Sequence, residues 1–314
     1  MKPVILMAPR LPQPLVARLE ERYTVLGPLE RSEAACLPPG ADAARALVTL
    51  GTLRTDAALV AALPNLGLIH LYGTGFEGVD MAAAAARGIA VTNAGEANAE
   101  AVAEFAMGLV LASGRKIAEG DRYVREGRWS GNAIERLPLV PGLYGRRLGI
   151  YGLGAIGKRI AARAAAFGME IAYHNRRVAE GVGYAYHDNL EALARWSDVL
   201  MVAVRAAPEN RHAVNAAVLE ALGPEGEVVN ISRGSVVDTE ALCDALERRA
   251  IAGAALDVFE DEPNVPERLR AIPNAVLTPH VAAYSASAQA AQRQLVWDNL
   301  EAFFAGRLLS SVVA

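Results

Sequence analysis

The chain has little of what marks a secreted, metal-binding or nucleic-acid-binding protein. Only two cysteines, Cys36 and Cys243, occur among 314 residues, which excludes a disulfide framework, so we expect a reducing, cytoplasmic compartment. The histidines are scattered without metal-ligand spacing, and no metal site is expected. A formal net charge of −4 gives no basic excess for nucleic acid or an anionic membrane. No apolar run is long enough to span a bilayer, and the first is too short for a signal-peptide core.

Apolar residues, by contrast, are abundant, at 53% of the chain against 21% charged residues. A globular chain of this length has room for two domains with cores of their own. Strand and helix signals alternate along it, which is typical of parallel sheets covered by helices. We therefore predict an α/β fold with two doubly wound parallel-sheet domains, a substrate domain of residues 1–97 and 285–314 and a dinucleotide-binding domain of residues 98–284. We also predict one long helix over residues 96–126.

A glycine-rich turn lies between a predicted strand at residues 148–151 and a predicted helix at residues 158–167. It reads G-x-G-x-x-G and comprises Gly152, Leu153, Gly154, Ala155, Ile156 and Gly157. The first glycine permits a tight turn, the second lets a pyrophosphate approach the backbone, and the third lets helix and strand pack closely. Amides and the dipole at the helix N-terminus favour the negative phosphate. This context favours a dinucleotide site over an ordinary glycine-rich turn.

The residues that close the following strand indicate which dinucleotide binds. NAD-binding units carry an Asp or Glu about 20 residues beyond the motif, where it binds the ribose 2′-hydroxyl. Here the strand ends in Asn175, Arg176 and Arg177, without a carboxylate. Two guanidinium groups can pair with a 2′-phosphate that meets no like charge. We therefore predict NADP(H) as the preferred cofactor, with NAD(H) as the alternative if the arginines are ordinary surface charges.

Three residues that could carry chemistry follow three different predicted strands of the dinucleotide-binding domain. They are Arg233, Glu262 and His280. In a doubly wound sheet such positions share the carboxyl edge with the phosphate turn. A guanidinium binds a carboxylate and polarises a keto oxygen, a protonated imidazole delivers a proton, and a carboxylate behind the imidazole favours its charged form. Taken singly, each has a plainer interpretation: a surface ion pair for Arg233, a solvated acid for Glu262, a loop histidine for His280.

Several stretches in this order resemble the D-isomer-specific 2-hydroxyacid dehydrogenase family along nearly the whole chain. They are LGIYGLGAIGKRIAARAAAFGM, SDVLMVAV, PENRHAVN, VVNISRGSVVDTEAL, GAALDVFEDEP and LTPH. The resemblance implies a Rossmann domain inserted in a flavodoxin-like substrate domain, and a homodimer. It assigns catalysis to Arg233, Glu262 and His280. It also implies cofactor contacts by Val204, Ile231 and Asp257, whose carboxylate would bind the nicotinamide carboxamide, and substrate-carboxylate binding by the backbone of Thr74 and Gly75.

Within the family, the HNRR ending at residues 174–177 and the overall pattern resemble the NADPH-preferring glyoxylate/hydroxypyruvate reductases. This resemblance implies NADPH-dependent reduction of small 2-keto acids, first glyoxylate and hydroxypyruvate, to D-2-hydroxy acids, with His280 as proton donor. Two departures from the family pattern, Arg205-Ala206-Ala207 and Ala282-Ala283-Tyr284, leave the natural substrate and the roles of Arg205 and Tyr284 open. One alternative is an NAD(H)-dependent dehydrogenase of another acid, such as D-lactate, 3-phosphoglycerate or formate. The other is a non-catalytic, dinucleotide-sensing protein like a corepressor.

Overall fold

The computed structural model describes residues 2–130 and 139–313, and the chain divides into two compact units. The first comprises Met1–Asn98 and Ser285–Ala314, and the second comprises Ala99–Tyr284. Each contains its own parallel sheet with helices. The predicted fold class, two parallel-sheet α/β domains, is confirmed.

The first unit is built on a five-stranded parallel sheet in the order β2-β1-β3-β4-β5. Its strands are Val4–Met7 (β1), Thr24–Leu26 (β2), Ala44–Thr49 (β3), Leu68–Leu71 (β4) and Ala90–Thr92 (β5). Its helices are Gln13–Arg22 (α1), Ala57–Ala61 (α2), Met81–Ala86 (α3) and Ala286–Phe304 (α11). This strand order is that of flavodoxin-like folds.

Local signals explain where these helices begin. The side chains of Asp56, Asp80 and Ser285 accept hydrogen bonds from amides in the first turns of α2, α3 and α11, as N-cap residues do. The central strands β3 and β4 are largely buried, as expected of a parallel sheet covered by helices, and β4 is buried at every residue. Val296 and Leu300 of α11 join the buried core beside α1.

The second unit has a seven-stranded parallel sheet in the order β12-β11-β10-β9-β6-β7-β8. Its strands are Arg147–Tyr151 (β6), Glu170–His174 (β7), Ala185–Tyr186 (β8), Val199–Val202 (β9), Glu227–Asn230 (β10), Gly253–Leu256 (β11) and Ala275–Leu277 (β12). Its helices are Ala99–Gly114 (α4), Ile117–Arg125 (α5), Ala155–Ala166 (α6), Leu190–Trp196 (α7), Ala216–Leu222 (α8), Thr239–Glu247 (α9) and Glu267–Ala271 (α10). The strand order reverses at β6, the topological switch point beside which Rossmann folds bind nucleotides.

The prediction of one long helix over residues 96–126 is wrong. The structure has two helices, α4 and α5, separated at Lys116, which has a left-handed φ of 56°. A Cβ on Gly114 at the end of α4 would lie 3.3 Å from the Glu227 carboxylate, so glycine suits this close approach. The apolar spacing continues across the break, and therefore periodicity could not reveal it. The glycines and prolines of residues 127–145 predict a loop, and part of this stretch, residues 131–138, lies outside the described residues.

Across the described ranges, every helix is either too short or too polar to cross a lipid bilayer.

Candidate active site

The glycine-rich turn of residues 152–157, called the phosphate turn below, connects β6 to α6. Its three glycines differ in the space around the position that a Cβ would take. Gly152 has a φ of 105°, and a Cβ there would lie 2.4 Å from the Val204 amide nitrogen. A Cβ on Gly157 would lie 2.3 Å from the Gly152 carbonyl oxygen. At Gly154, by contrast, the Cβ position faces open space. Two glycines are thus required by packing, whereas Gly154 leaves room at the N-terminus of α6, where amides and dipole favour an anion.

Asn175 joins the end of β7 to the phosphate turn. Its side-chain Oδ1 accepts a hydrogen bond from the Leu153 amide at 2.7 Å, and its carbonyl accepts one from the Tyr186 hydroxyl at 3.2 Å. Arg176 and Arg177 follow and are exposed. Burial raises the pKa of Tyr151, and the charge of Arg176 acts in the opposite direction, which places that guanidinium near the end of β6. The Asn175 side chain therefore stabilises the phosphate turn, and Arg176 and Arg177 lie at the same edge of the sheet.

Arg233 follows β10 in a loop that Asn230 holds in shape. The Asn230 side chain donates to the Arg233 carbonyl at 3.0 Å and accepts from the Ser232 amide at 3.0 Å. Ser232 in turn donates to the Val204 carbonyl in the neighbouring loop. Arg233 itself is half-buried and donates to the Ser232 carbonyl at 2.8 Å. Asn230 was not among the residues predicted from the sequence, although an asparagine that closes an apolar predicted strand was a signal for it.

Glu262 and His280 form a hydrogen-bonded pair beside this loop. His280 Nδ1 donates to Glu262 Oε2 at 2.7 Å, and the Phe259 amide donates to Glu262 Oε1 at 3.0 Å. Burial by itself raises the pKa of Glu262, but these hydrogen bonds and the charge of Arg233 outweigh burial and hold it below its usual value. The ionised carboxylate therefore orients the imidazole and leaves its Nε2 for another partner.

Asp257 holds the loop that carries His280. One carboxylate oxygen accepts from the Thr278 hydroxyl at 2.6 Å and the Val281 amide at 3.0 Å, and the other accepts from the Ala282 amide at 2.9 Å. Between these anchors, His280 has a left-handed φ of 53°. Asp257 is therefore a support for the histidine loop, a role that sequence reasoning did not detect. Its predicted contact with the nicotinamide carboxamide stays a prediction.

The other sequence-predicted residues are placed as follows. Ile231 is buried directly after β10, and Val204 packs against Gly152 after β9. Thr74 and Gly75 lie in the first unit, in the turn after β4, where the Asn93 side chain donates to the Thr74 carbonyl at 2.7 Å. Tyr284 is 79% exposed. Within residues 2–130 and 139–313, no cluster of His, Cys, Asp and Glu is arranged to bind a metal ion.

Comparison with known proteins decides the family. Residues 107–282 match the model of the NAD-binding domain of D-isomer specific 2-hydroxyacid dehydrogenases. The chain belongs to this family. The resemblance predicted from the motifs is therefore confirmed, and this dehydrogenase has the fold expected of it.

Relatives of this dehydrogenase span nearly its whole length. It is 39% identical to glyoxylate/hydroxypyruvate reductase A HPR2 of Arabidopsis thaliana over 99% of this chain and 98% of the relative. It is 37% identical to 2-ketogluconate reductase of Gluconobacter oxydans over 99% of both chains. A crystal structure of the NADPH-dependent glyoxylate/hydroxypyruvate reductase of Sinorhizobium meliloti, in complex with NADP and malonate, matches with a TM-score of 0.93 and 42% identity, covering 100% of this chain and 97% of that one.

Proposed function

We propose that this dehydrogenase catalyses the NADPH-dependent reduction of glyoxylate to glycolate and of hydroxypyruvate to D-glycerate. The observation that carries the proposal is the Glu262–His280 hydrogen bond of 2.7 Å at the carboxyl edge of the sheet, with the charge of Arg233 acting on the same carboxylate. The names of the relatives support this substrate class.

Each of the three residues has a separate task in this reaction. Arg233 binds the substrate carboxylate, and Thr74 and Gly75 are proposed as further contacts to it through their amides. His280 holds a proton on Nε2 and gives it to the keto oxygen as the carbonyl carbon is reduced. Glu262 accepts from Nδ1, keeps the ring in orientation and stabilises the imidazolium before the proton leaves. In the oxidative direction the neutral His280 takes the hydroxyl proton.

The phosphate turn fits a dinucleotide, and the end of β7 supports NADP(H). The open space at Gly154 and the amides at the start of α6 would hold the pyrophosphate. Arg176 and Arg177 would bind the 2′-phosphate, since both are exposed and no carboxylate occupies the end of the strand. When bound, the reduced nicotinamide supplies the hydride.

We also propose a homodimer that works in a reducing cytoplasm. Cys36 and Cys243 are both free thiols. No residue of α5 is buried, and its Ile117 and Val124 are 56% and 53% exposed. Such apolar exposure on one helix is typical of an interaction surface. Light scattering should give twice the mass of the chain, and Ile117→Glu should shift it towards the monomer.

The relatives also favour a second substrate class, the longer 2-keto sugar acids, because one of them is named a 2-ketogluconate reductase. A panel of glyoxylate, hydroxypyruvate, 2-ketogluconate and pyruvate, each assayed with NADPH and with NADH, tests both. We expect the highest kcat/KM with the two small acids and NADPH. Highest activity with 2-ketogluconate, or with NADH, would replace the proposal. No turnover with any acid would favour the corepressor-like alternative.

A further inference from the structure

Glu260, two residues before Glu262, makes contacts that a solvated surface acid does not make. Its Oε2 accepts from Arg211 Nη2 at 3.1 Å and from His212 Nε2 at 2.8 Å. Its Oε1 accepts from both the amide and the hydroxyl of Thr239, at 3.1 and 2.8 Å. Burial by itself raises the pKa of Glu260, but the bonds from His212 and Thr239 outweigh it and lower that pKa. The side chain is only 24% exposed.

These four bonds connect loops that follow three adjacent strands. Glu260 itself lies after β11, Arg211 and His212 lie after β9, and Thr239 begins α9 after β10. The charged group that also faces His212 is Asp238, whose Oδ2 lies 3.8 Å from His212 Nδ1. Hydrogen bonds to the Glu260 carboxylate thus connect the three segments that also contain Val204, Arg233 and Glu262.

A short path leads from Glu260 to the proton-donating pair. The preceding residue, Phe259, donates its amide to Glu262 Oε1, and Glu262 accepts from His280. The backbone at Phe259 and Glu260 also touches Gly234, where a Cβ would lie 1.8 Å from the Phe259 carbonyl carbon. A shift of this segment would therefore disturb Glu262, which accepts from the Phe259 amide, and the Arg233 loop, where Gly234 leaves no room for a Cβ against this backbone.

We infer that Glu260 is a positioning residue for the Glu262–His280 pair, an inference that rests on the proposed function. It does not touch the reacting atoms. It holds the Phe259 amide where that amide orients Glu262, and so keeps the carboxylate against the imidazole. Without Glu260, the imidazolium of His280 is less stabilised, and the alkaline limb of the reduction profile moves to lower pH.

The test compares Glu260→Ala with Glu260→Gln, Glu262→Gln and the control Glu247→Ala. Glu247 is an exposed acid at the last residue of α9 that pairs with Arg268 at 2.7 Å, so its loss removes an ion pair at the end of the helix away from Thr239. The first readout, which needs no activity, is amide hydrogen exchange in residues 233–241 and 257–263. The second is the pH profile of kcat/KM for glyoxylate with NADPH, and thermal unfolding reports whether each variant folds.

We expect the amides of both segments to exchange faster in Glu260→Ala than in wild type. The alkaline limb of its pH profile should move by about half a pH unit in the same direction as in Glu262→Gln, which corresponds to a roughly threefold lower kcat/KM at pH values above the limb. For Glu260→Gln, both the exchange rates and the shift of the pH profile should lie between those of wild type and Glu260→Ala, because the glutamine side-chain oxygen can still accept from Thr239. Glu247→Ala should match wild type in both readouts. Unchanged exchange in Glu260→Ala, or a lower rate with an unshifted profile, would overturn the inference. An inactive wild type would instead refute the proposed function, and the exchange result would still decide whether Glu260 holds the loops.

Discussion

The buried histidine of the first unit should make this dehydrogenase lose stability in mild acid. His70 lies in β4, fully buried, and its Nδ1 shares a hydrogen bond of 2.8 Å with Thr92 Oγ1 on β5. Burial lowers the pKa of His70 from 6.5 to about 4. The folded unit therefore keeps the ring neutral at a pH where the unfolded chain already takes up a proton.

The sign and size of this loss of stability follow from the linkage between protonation and folding. Well above pH 6.5 both states hold neutral His70 and nothing is lost, whereas at lower pH the unfolded state gains a proton that the folded state does not take up. At about 1.36 kcal/mol per pKa unit, the shift corresponds to a loss of at most about 3 kcal/mol, complete near the folded pKa. Between about pH 7.5 and about pH 5, roughly 2 kcal/mol of the free energy of unfolding should disappear through this one group.

Urea unfolding of wild type and His70→Gln at several pH values measures this loss. Glutamine does not titrate and can still bond Thr92, so the variant should show a smaller loss of stability on acidification by about 2 kcal/mol. Trp297 is buried in the first unit, so its fluorescence, with Trp129 and Trp196 replaced by Phe, reports unfolding of that unit. His187→Gln, a half-exposed site in the second unit, serves as control. If the free energy of unfolding fell by the same amount on acidification in wild type and in His70→Gln, the reasoning would be refuted.

Three further predictions concern the second unit. Glu262→Gln removes the charge that stabilises protonated His280, so the reduction rate should fall off at lower pH than in wild type; an unchanged pH profile would remove Glu262 from this role. Replacing both Arg176 and Arg177 by alanine should raise KM for NADPH roughly tenfold or more while leaving KM for NADH nearly unchanged, and equal effects on both cofactors would count against 2′-phosphate binding. Glu227→Ala removes the carboxylate that pairs with buried Arg146 at 3.3 Å, and urea unfolding should show a loss of about 3–5 kcal/mol. For this last variant, Glu225→Ala, which removes an acid at a more exposed position, is the control that should stay close to wild type.

The glycine turn and the strand-end residues could be predicted because they follow from local pattern and from one general rule. A G-x-G-x-x-G between strand and helix specifies its own geometry, and parallel strands gather their carboxyl ends at one edge. Residues as far apart as Arg233, Glu262 and His280 could therefore be grouped before any coordinates were known. The break between α4 and α5 could not be predicted, since helical apolar spacing runs through Gly114 and Lys116 without interruption.

The sequence by itself determined the fold class, the family and the residue types available for chemistry, because periodicity and motif spacing are properties of neighbouring residues. Only the tertiary structure decided how those residues are held. Asn230 shapes the Arg233 loop, Asp257 anchors the His280 loop, and Glu260 ties three loops together. In sequence Glu260 is one acid in an acidic run. Its hydrogen bonds to Arg211 and His212, almost 50 positions earlier, exist only because β9, β10 and β11 lie side by side in the folded sheet.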